Sequence, residues 1–461
     1  MAVRLTELRL QNYRSFEDAR LPLSDMTIVI GENGSGKSTL IDAVEFLRDA
    51  VVESLPFALE RRGGFQGVVR RGRDGEPPRV LRLALTFELD LMRVSRSLVP
   101  PRGTYVLDPR ADLRVFVDQE DVRELRRVRA IYGVAIAPRG NGRGYEVIEE
   151  HCQSDSEELD GFTRDGVNVQ TRRSNDLPGP IGDPERLHLA LGGTGHESVA
   201  AVAQWAVRGL RASRPTWEAI TSGQQVGSPS ALAPNGSNLA DVISDWHQLN
   251  VEHVHDWVMT RLQRIAPGMF DVRATTHAGR RFIEFEQDHG KDGRHVLAGD
   301  AMSRGTARSL GILLALRYRE SFGSRSLVCI DEIEESIHHG ALDVLVEAAH
   351  GTTRGSPSDV RSVSPEPILA LPEPPADYRP PGPQVLLTTH STELLSHPLV
   401  TAERVRIVRW VEGRSEVFLV ADGVREALVP PETVGGLESI NALFPADEPL
   451  RNAESFFGIG S

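Results

Sequence analysis

A chain of 461 residues exceeds what one hydrophobic core usually serves, so two or three domains are expected. Its 40% hydrophobic and 25% charged content fits an ordinary soluble protein, and a net charge of −13 excludes a surface that is basic all round, leaving nucleic acid only a local groove. No apolar run approaches the roughly 18 residues that span a membrane, and the first residues lack a basic-then-apolar secretory pattern. The two cysteines, Cys152 and Cys329, give neither a disulfide framework nor zinc spacing, so a cytoplasmic chain with no membrane attachment is expected.

The first strand pattern sets Val3, Leu5, Leu8 and Leu10 among polar partners and leads through Asn12 to Phe16 into a second strand. The apolar run Met26–Ile30 then delivers Gly31-Glu32-Asn33-Gly34-Ser35-Gly36-Lys37-Ser38-Thr39, a complete G-x-x-x-x-G-K-S phosphate loop. Its glycines let backbone N–H groups converge on a triphosphate, Lys37 adds a point charge for the β and γ phosphates, and the Ser38 hydroxyl can hold Mg²⁺. Leu40, Val44 and Leu47 recur at helical spacing, so a helix begins on the loop and aims its positive end at the anion. This order predicts ATP binding.

Residues 61 to 78 are Arg- and Gly-rich and turn-like, and Leu81, Leu83, Leu85 and Phe87 mark another strand. Two basic groups follow the loop: Arg61, Arg62, Arg70, Arg71 and Arg73, then Arg123, Arg126, Arg127 and Arg129, the latter read as one helix. The interleaved Glu120, Asp121 and Glu124 make a solvated face the plainer reading, and aromatics at 6% do not interleave to form a stacking platform. The chain is polar and breaker-rich over 150 to 185 and again over 221 to 237, with helical patterns at Val199–Leu210 and Leu239–Ile265. Three parts are expected: an N-terminal lobe over 1–140, an inserted, largely helical domain over 141–264, and a C-terminal lobe over 265–461.

In the last part, Met302-Ser303-Arg304-Gly305-Thr306 precedes an apolar helix, a helix entrance that is also an anion site. Ser326–Ile330 is a buried-strand pattern ending in Asp331-Glu332. At a strand's carboxyl edge, Asp331 can hold Mg²⁺ through water and Glu332 can orient or deprotonate the attacking water. Nine prolines crowd 352–383, which is read as a surface loop or disordered insertion. Gln384–Thr389 is one more buried strand and ends at His390, within reach of a γ-phosphate if the two strands are neighbours. Val405 and Ile407, a Glu412-Gly413 turn, then Val417 and Leu419 read as a hairpin, and Phe456-Phe457 is either tail packing or a docking peptide.

This order resembles an α/β P-loop NTPase of the ABC type, a mixed sheet flanked by helices with an inserted helical subdomain. More narrowly it resembles the RecF/SMC-like class and the ATPase half of the overcoming-lysogenization-defect (OLD) family. The carrying residues are Leu8–Phe16 ahead of Gly31–Leu40, then Asn235–Leu239, Ser303–Thr306, Asp331–Glu334, Ile337-His338 and Thr389–Ser391. The resemblance implies ATP and Mg²⁺ as ligands, with Arg14, Asn33, Gly34, Ser35, Gly36, Lys37, Ser38 and Thr39 at the nucleotide and Ser38 and Asp331 at the metal. It implies Glu332 as catalytic carboxylate and His390 as switch histidine, and a head-to-tail homodimer or higher homo-oligomer in which Ser303 and Gly305 of one copy meet the γ-phosphate on the other.

Departures narrow the implication. The signature lacks the leading Leu and terminal Gln of membrane transporters, His339-Gly340 replaces a common His-Pro, and no coiled-coil arms occur. The glutamine of the lobe-connecting loop has only Gln66 as a candidate. After Glu416 too few residues remain for a Toprim nuclease, and no Asp-x-Asp pair occurs among them. The resemblance therefore implies an ATPase sensor or scaffold of a prokaryotic anti-phage system that controls a separate nuclease or toxin effector. A RecF-like ATPase of DNA repair, with nucleic acid as partner, is the alternative.

Overall fold

The computed structural model describes residues 3–71, 80–94, 122–139, 144–156, 161–166, 168–171, 187, 199–227, 232–248, 252–317, 326–354, 382–420, 449–451 and 456–457, with side chains 90–94, 122–126, 171, 245–248 and 252–253 outside that description. The chain opens with strands β1 (Val3–Tyr13), β2 (Phe16–Pro22) and β3 (Met26–Ile30). Helices α1 (Lys37–Val52), α2 (Leu55–Glu60) and α3 (Phe65–Val68) follow. Strands β4 (Leu81–Val94), β5 (Val122–Pro138), β6 (Tyr145–Ser154), β7 (Phe162–Asp165) and β8 (Asn168–Thr171) then run antiparallel, each beside the last.

Next come α4 (Val199–Arg208), β9 (Leu210–Ser213), α5 (Trp217–Thr221), β10 (Gln224–Gln225), α6 (Leu239–Gln248) and α7 (Glu252–Ile265). Strands β11 (Met269–His277), β12 (Arg280–Asp288) and β13 (Arg294–Ala298) join β10 in a small four-stranded sheet. The last stretch holds α8 (Arg304–Arg317), β14 (Leu327–Ile330), α9 (His339–Thr353), β15 (Gln384–Thr389), β16 (Val405–Val411) and β17 (Arg414–Leu419).

The large sheet has thirteen strands in the order β8-β7-β6-β5-β4-β1-β2-β17-β16-β3-β15-β14-β9. From β16 through β3, β15 and β14 to β9 every pairing is parallel, so five chain segments leave the sheet at one edge. Side chains alternate across it with period 2. Met26, Ile28, Ile30, Val328, Ile330, Val385 and Leu387 enter a core with α7, α8 and α9. Val29, Leu327, Cys329 and Leu386 enter the opposite core with α1 and α4. The sheet is therefore sandwiched between helices, the arrangement a βα phosphate-loop unit requires.

Two sequence expectations need correction. Arg123, Arg126, Arg127 and Arg129 lie on β5, not on a helix: the register pairs Arg127 with Asp90 and Arg129 with Glu88 across β4. Over 127–130 the pattern is period 2, with Arg127 and Arg129 exposed while Val128 and Ala130 are buried, and 131–136 are buried throughout. The span 141–264 is not a separate helical unit either, because β6, β7 and β8 extend the main sheet and β9 forms its other edge beside β14. Helices α4, α6 and α7 are present as read. Of the Pro-rich stretch, 355–381 lies outside the described residues.

The hairpin reading of β16 and β17 holds, with Glu412 and Gly413 both at positive φ (47° and 86°) in the turn. Phe456 and Phe457 pack against Ala84 and Ile131, Arg9 donates to the Phe456 carbonyl at 2.8 Å, and Phe457 stacks on His151 at 4.4 Å. That is the tail-packing alternative.

Candidate nucleotide site

Four of these segments, those after β3, β9, β14 and β15, carry the site. The loop after β3 turns into α1 with Gly34 at φ 79° and Gly36 at φ 114°. A Cβ on Gly36 would stand 2.4 Å from Ser415 Oγ, so only glycine fits between this loop and β17. Ser35 N–H donates to Glu32 O at 3.1 Å and Thr39 N–H to Gly36 O at 3.0 Å, which fixes the curl of the loop. Asn33 and Gly34 are exposed at its tip. Glu32, Asn33, Gly34, Ser35 and the half-exposed Trp410 bound an open cavity of about 370 Å³. The Ser35 hydroxyl is buried without a partner among the described residues.

Lys37 lies back on the loop, its Nζ donating to Gly31 O at 2.7 Å and Glu32 O at 2.9 Å. Burial pulls its ammonium below the usual lysine range, and the carboxylates of Glu334, Glu332, Asp331 and Glu32 oppose that drop. Carbonyl oxygens are weaker partners for an ammonium than phosphate oxygens, so this Lys37 is placed to trade them for an anion.

Ser38 and Asp331 are brought together although β3 and β14 are separated by β15: Ser38 Oγ donates to Asp331 Oδ1 at 3.3 Å. A hydroxyl and a carboxylate are hard oxygen donors, and Mg²⁺ takes one or two such protein ligands and keeps waters, so the pair fits that ion. Thr388 at the end of β15 donates to the same Oδ1 at 2.6 Å and accepts from Glu332 N–H at 2.8 Å. Glu332 itself sits at φ 49°, a left-handed conformation that a non-glycine residue holds only under constraint.

Two cations attend the carboxylates. Arg214, directly after β9, pairs with Glu332 and lies 3.7 Å from Asp331 Oδ2. Arg308 on α8 is buried and donates to Asp331 O at 3.0 Å, Glu332 O at 2.6 Å and Pro215 O at 2.5 Å. It ties α8, the segment after β9 and the segment after β14 into one unit. His390 follows β15 with Nδ1 at 2.7 Å from Glu334 Oε1.

The remaining residues singled out in the sequence lie apart. Arg14, at φ 46° in the β1–β2 turn, pairs through Nε with Asp42 of α1 at 2.9 Å. Ser303 is exposed and caps α8, accepting from Thr306 N–H at 3.1 Å, and its hydrogen bonds among the described residues are local. Gly305 packs against the loop after β14, where a Cβ would stand 2.6 Å from Ser336 O. Sequence reasoning missed Arg214, Thr388, Glu334 and Arg308. The repeated acid in Asp331-Glu332-Ile333-Glu334 was a signal for Glu334; Arg214 has no motif around it.

Residues 4–93 match the family model described as "AAA ATPase domain", and residues 212–396 match that described as "AAA domain, putative AbiEii toxin, Type IV TA system". Over 121 residues the chain is 32% identical to structural maintenance of chromosomes protein 1 of Arabidopsis thaliana, covering 23% of this chain and 9% of that protein. Over 51 residues it is 39% identical to an OLD nuclease of Thermus scotoductus, covering 11% and 10%. The chain thus matches about a tenth of the length of these curated relatives. A solved SMC head bound to the C-winged helix domain of ScpA aligns at TM-score 0.46 and 12% identity, covering 91% of this chain and 98% of that one.

Proposed function

Taking the chain as an ABC/SMC-like ATPase of the OLD and RecF class, we propose that it hydrolyses ATP in a composite site closed by a second copy of itself. The observation that carries this reading is the gathering of Lys37, Ser38, Asp331, Glu332 and His390 at one edge of three adjacent parallel strands. Loop N–H groups and Lys37 bind the β and γ phosphates, while Ser38 and Asp331 hold Mg²⁺, which supplies charge neutralisation on the phosphates. Glu332 orients the attacking water, His390 reaches the γ-phosphate, and Arg14, Asn33, Gly34, Ser35, Gly36 and Thr39 shape the nucleotide cradle. Ser303, exposed at the start of α8, and the half-buried Gly305 serve the partner's nucleotide. ATP then joins two heads and hydrolysis releases them.

The same reading makes the chain a sensor or scaffold of a prokaryotic anti-phage system acting through a separate nuclease or toxin. The toxin–antitoxin description of the family matched over 212–396 and the local likeness to an OLD nuclease support it. The likeness to a chromosome-maintenance protein favours a second reading, DNA repair, which predicts ATP-dependent, salt-sensitive DNA binding.

The test is ATP turnover together with solution mass. Glu332→Gln should bind ATP, lose about 100-fold or more in turnover and accumulate as a dimer or larger assembly. Ser303→Arg should lose turnover and ATP-driven assembly while keeping ATP binding. Normal turnover in Glu332→Gln, or equal loss of binding and turnover in Ser303→Arg, would overturn the composite site. Capture of Glu332→Gln with ATP identifies the effector.

A further inference from the structure

The loop after β14 carries one more carboxylate inside the site. The Glu334 side chain is only 9% exposed, and its Oε1 accepts from the backbone N–H of His390 at 2.6 Å while standing 2.7 Å from His390 Nδ1. Nδ1 has no aligned acceptor in this state, and Glu334 Oε2 is buried without a donor among the described residues. A buried carboxylate oxygen left unpaired costs free energy and is kept where a small movement completes it. The His390 side chain is 39% exposed, so the ring has room to turn while Glu334 stays fixed. Glu334 is also among the carboxylates that hold up the Lys37 ammonium against its burial.

We propose that Glu334 is a positioning residue for His390: its carboxylate takes the Nδ1–H of the imidazole and so presents the Nε2 edge to the nucleotide. A carboxylate on one ring nitrogen fixes the tautomer and the ring plane, and the backbone bond from His390 to the same oxygen makes the pair rigid. The Glu332 carboxylate pairs with Arg214. The inference rests on the ATPase reading above.

The test combines kinetics with side-chain ¹⁵N spectra of the nucleotide-free full chain, the His390 signal being assigned by its loss in His390→Ala. Glu334→Ala should lower kcat for ATP about 10- to 100-fold, as misplacement of a reacting group does, with KM within about threefold. Glu334→Gln, whose amide oxygen still accepts Nδ1–H, should recover most of the loss. The double variant Glu334→Ala/His390→Ala should be no slower than His390→Ala alone, because Glu334 acts through the histidine. The Nδ1 resonance of His390 should move in Glu334→Ala. Multiplying losses in the double variant, an unchanged kcat, or an unmoved Nδ1 resonance would overturn the proposal. A wild-type chain that does not turn over ATP would sink the ATPase reading instead, and the Nδ1 resonance would still decide the role of Glu334.

Discussion

Thr388 shows how much of the site hangs on a residue with no charge. It is fully buried, and its hydroxyl donates to Asp331 and accepts from the backbone of Glu332, whose φ of 49° is unfavourable by itself. Removing that hydroxyl takes the partner from the Glu332 N–H and the shorter of two donors from the buried Asp331 Oδ1. Thr388→Val, nearly the same shape, should therefore lower stability by about 1–3 kcal/mol in urea unfolding and slow ATP turnover. An unchanged unfolding midpoint together with normal turnover would show that the hydroxyl does not hold the carboxylates. Phosphate loop, carboxylate pair and histidine were legible in the sequence because each announces itself in a local pattern at a strand end. Thr388 and Arg214 were not, since they meet Glu332 from 56 and 118 residues away and only strand pairing brings them there.

Among the elements, β16 and β17 do for the phosphate loop what no motif predicts: they are its floor. Gly31 lies so close to Val408 that a Cβ would stand 2.2 Å from its carbonyl oxygen, and Gly36 meets Ser415 and Phe16 in the same way. Gly36→Ala faces both that clash and a φ of 114°, so it should cost about 1–3 kcal/mol and abolish ATP binding. Adding Ser415→Gly should restore part of the stability, because it removes the clash but not the backbone strain. Full rescue would assign the whole effect to Ser415, and no rescue would assign it to the backbone; urea titration and nucleotide binding read both. The hairpin was visible in the sequence through its Glu412-Gly413 turn, yet its place under the loop was not, because register across β2, β17, β16 and β3 is a tertiary matter. The arginines of β5 misled for a related reason. Four of them within seven residues read as a helix face until the buried Val128, Ala130 and Tyr132 between and after them reveal a strand.

At the scale of the molecule, one continuous sheet joins the parallel nucleotide edge to the antiparallel wing, and each holds one cysteine. Cys329 in β14 and Cys152 in β6 are fully buried, and burial pushes both thiols well above the usual range. Neither should react with a thiol reagent in the native state at pH 8. In rising urea, Cys152 should label before Cys329, because only the short β7 and β8 lie beyond it while Cys329 sits among parallel strands covered by helices on both faces. Simultaneous labelling would mean that wing and head unfold as one unit. The wing was the least legible part of the fold, since alternating polar strands over 145–171 carry weaker signals than the breaker residues around them.

The floor beneath the phosphate loop also sets a timetable. Lys37 leaves the ribosome early, but β16 and β17 are made roughly 380 residues later, on the order of 20–80 s at about 5–20 residues per second. During that interval the growing chain carries a full ATP-binding motif without the β16–β17 part of its floor. Competence for nucleotide thus waits for β16 and β17, and a chain that has not yet made them lacks the braced loop through which ATP would join it to a finished copy.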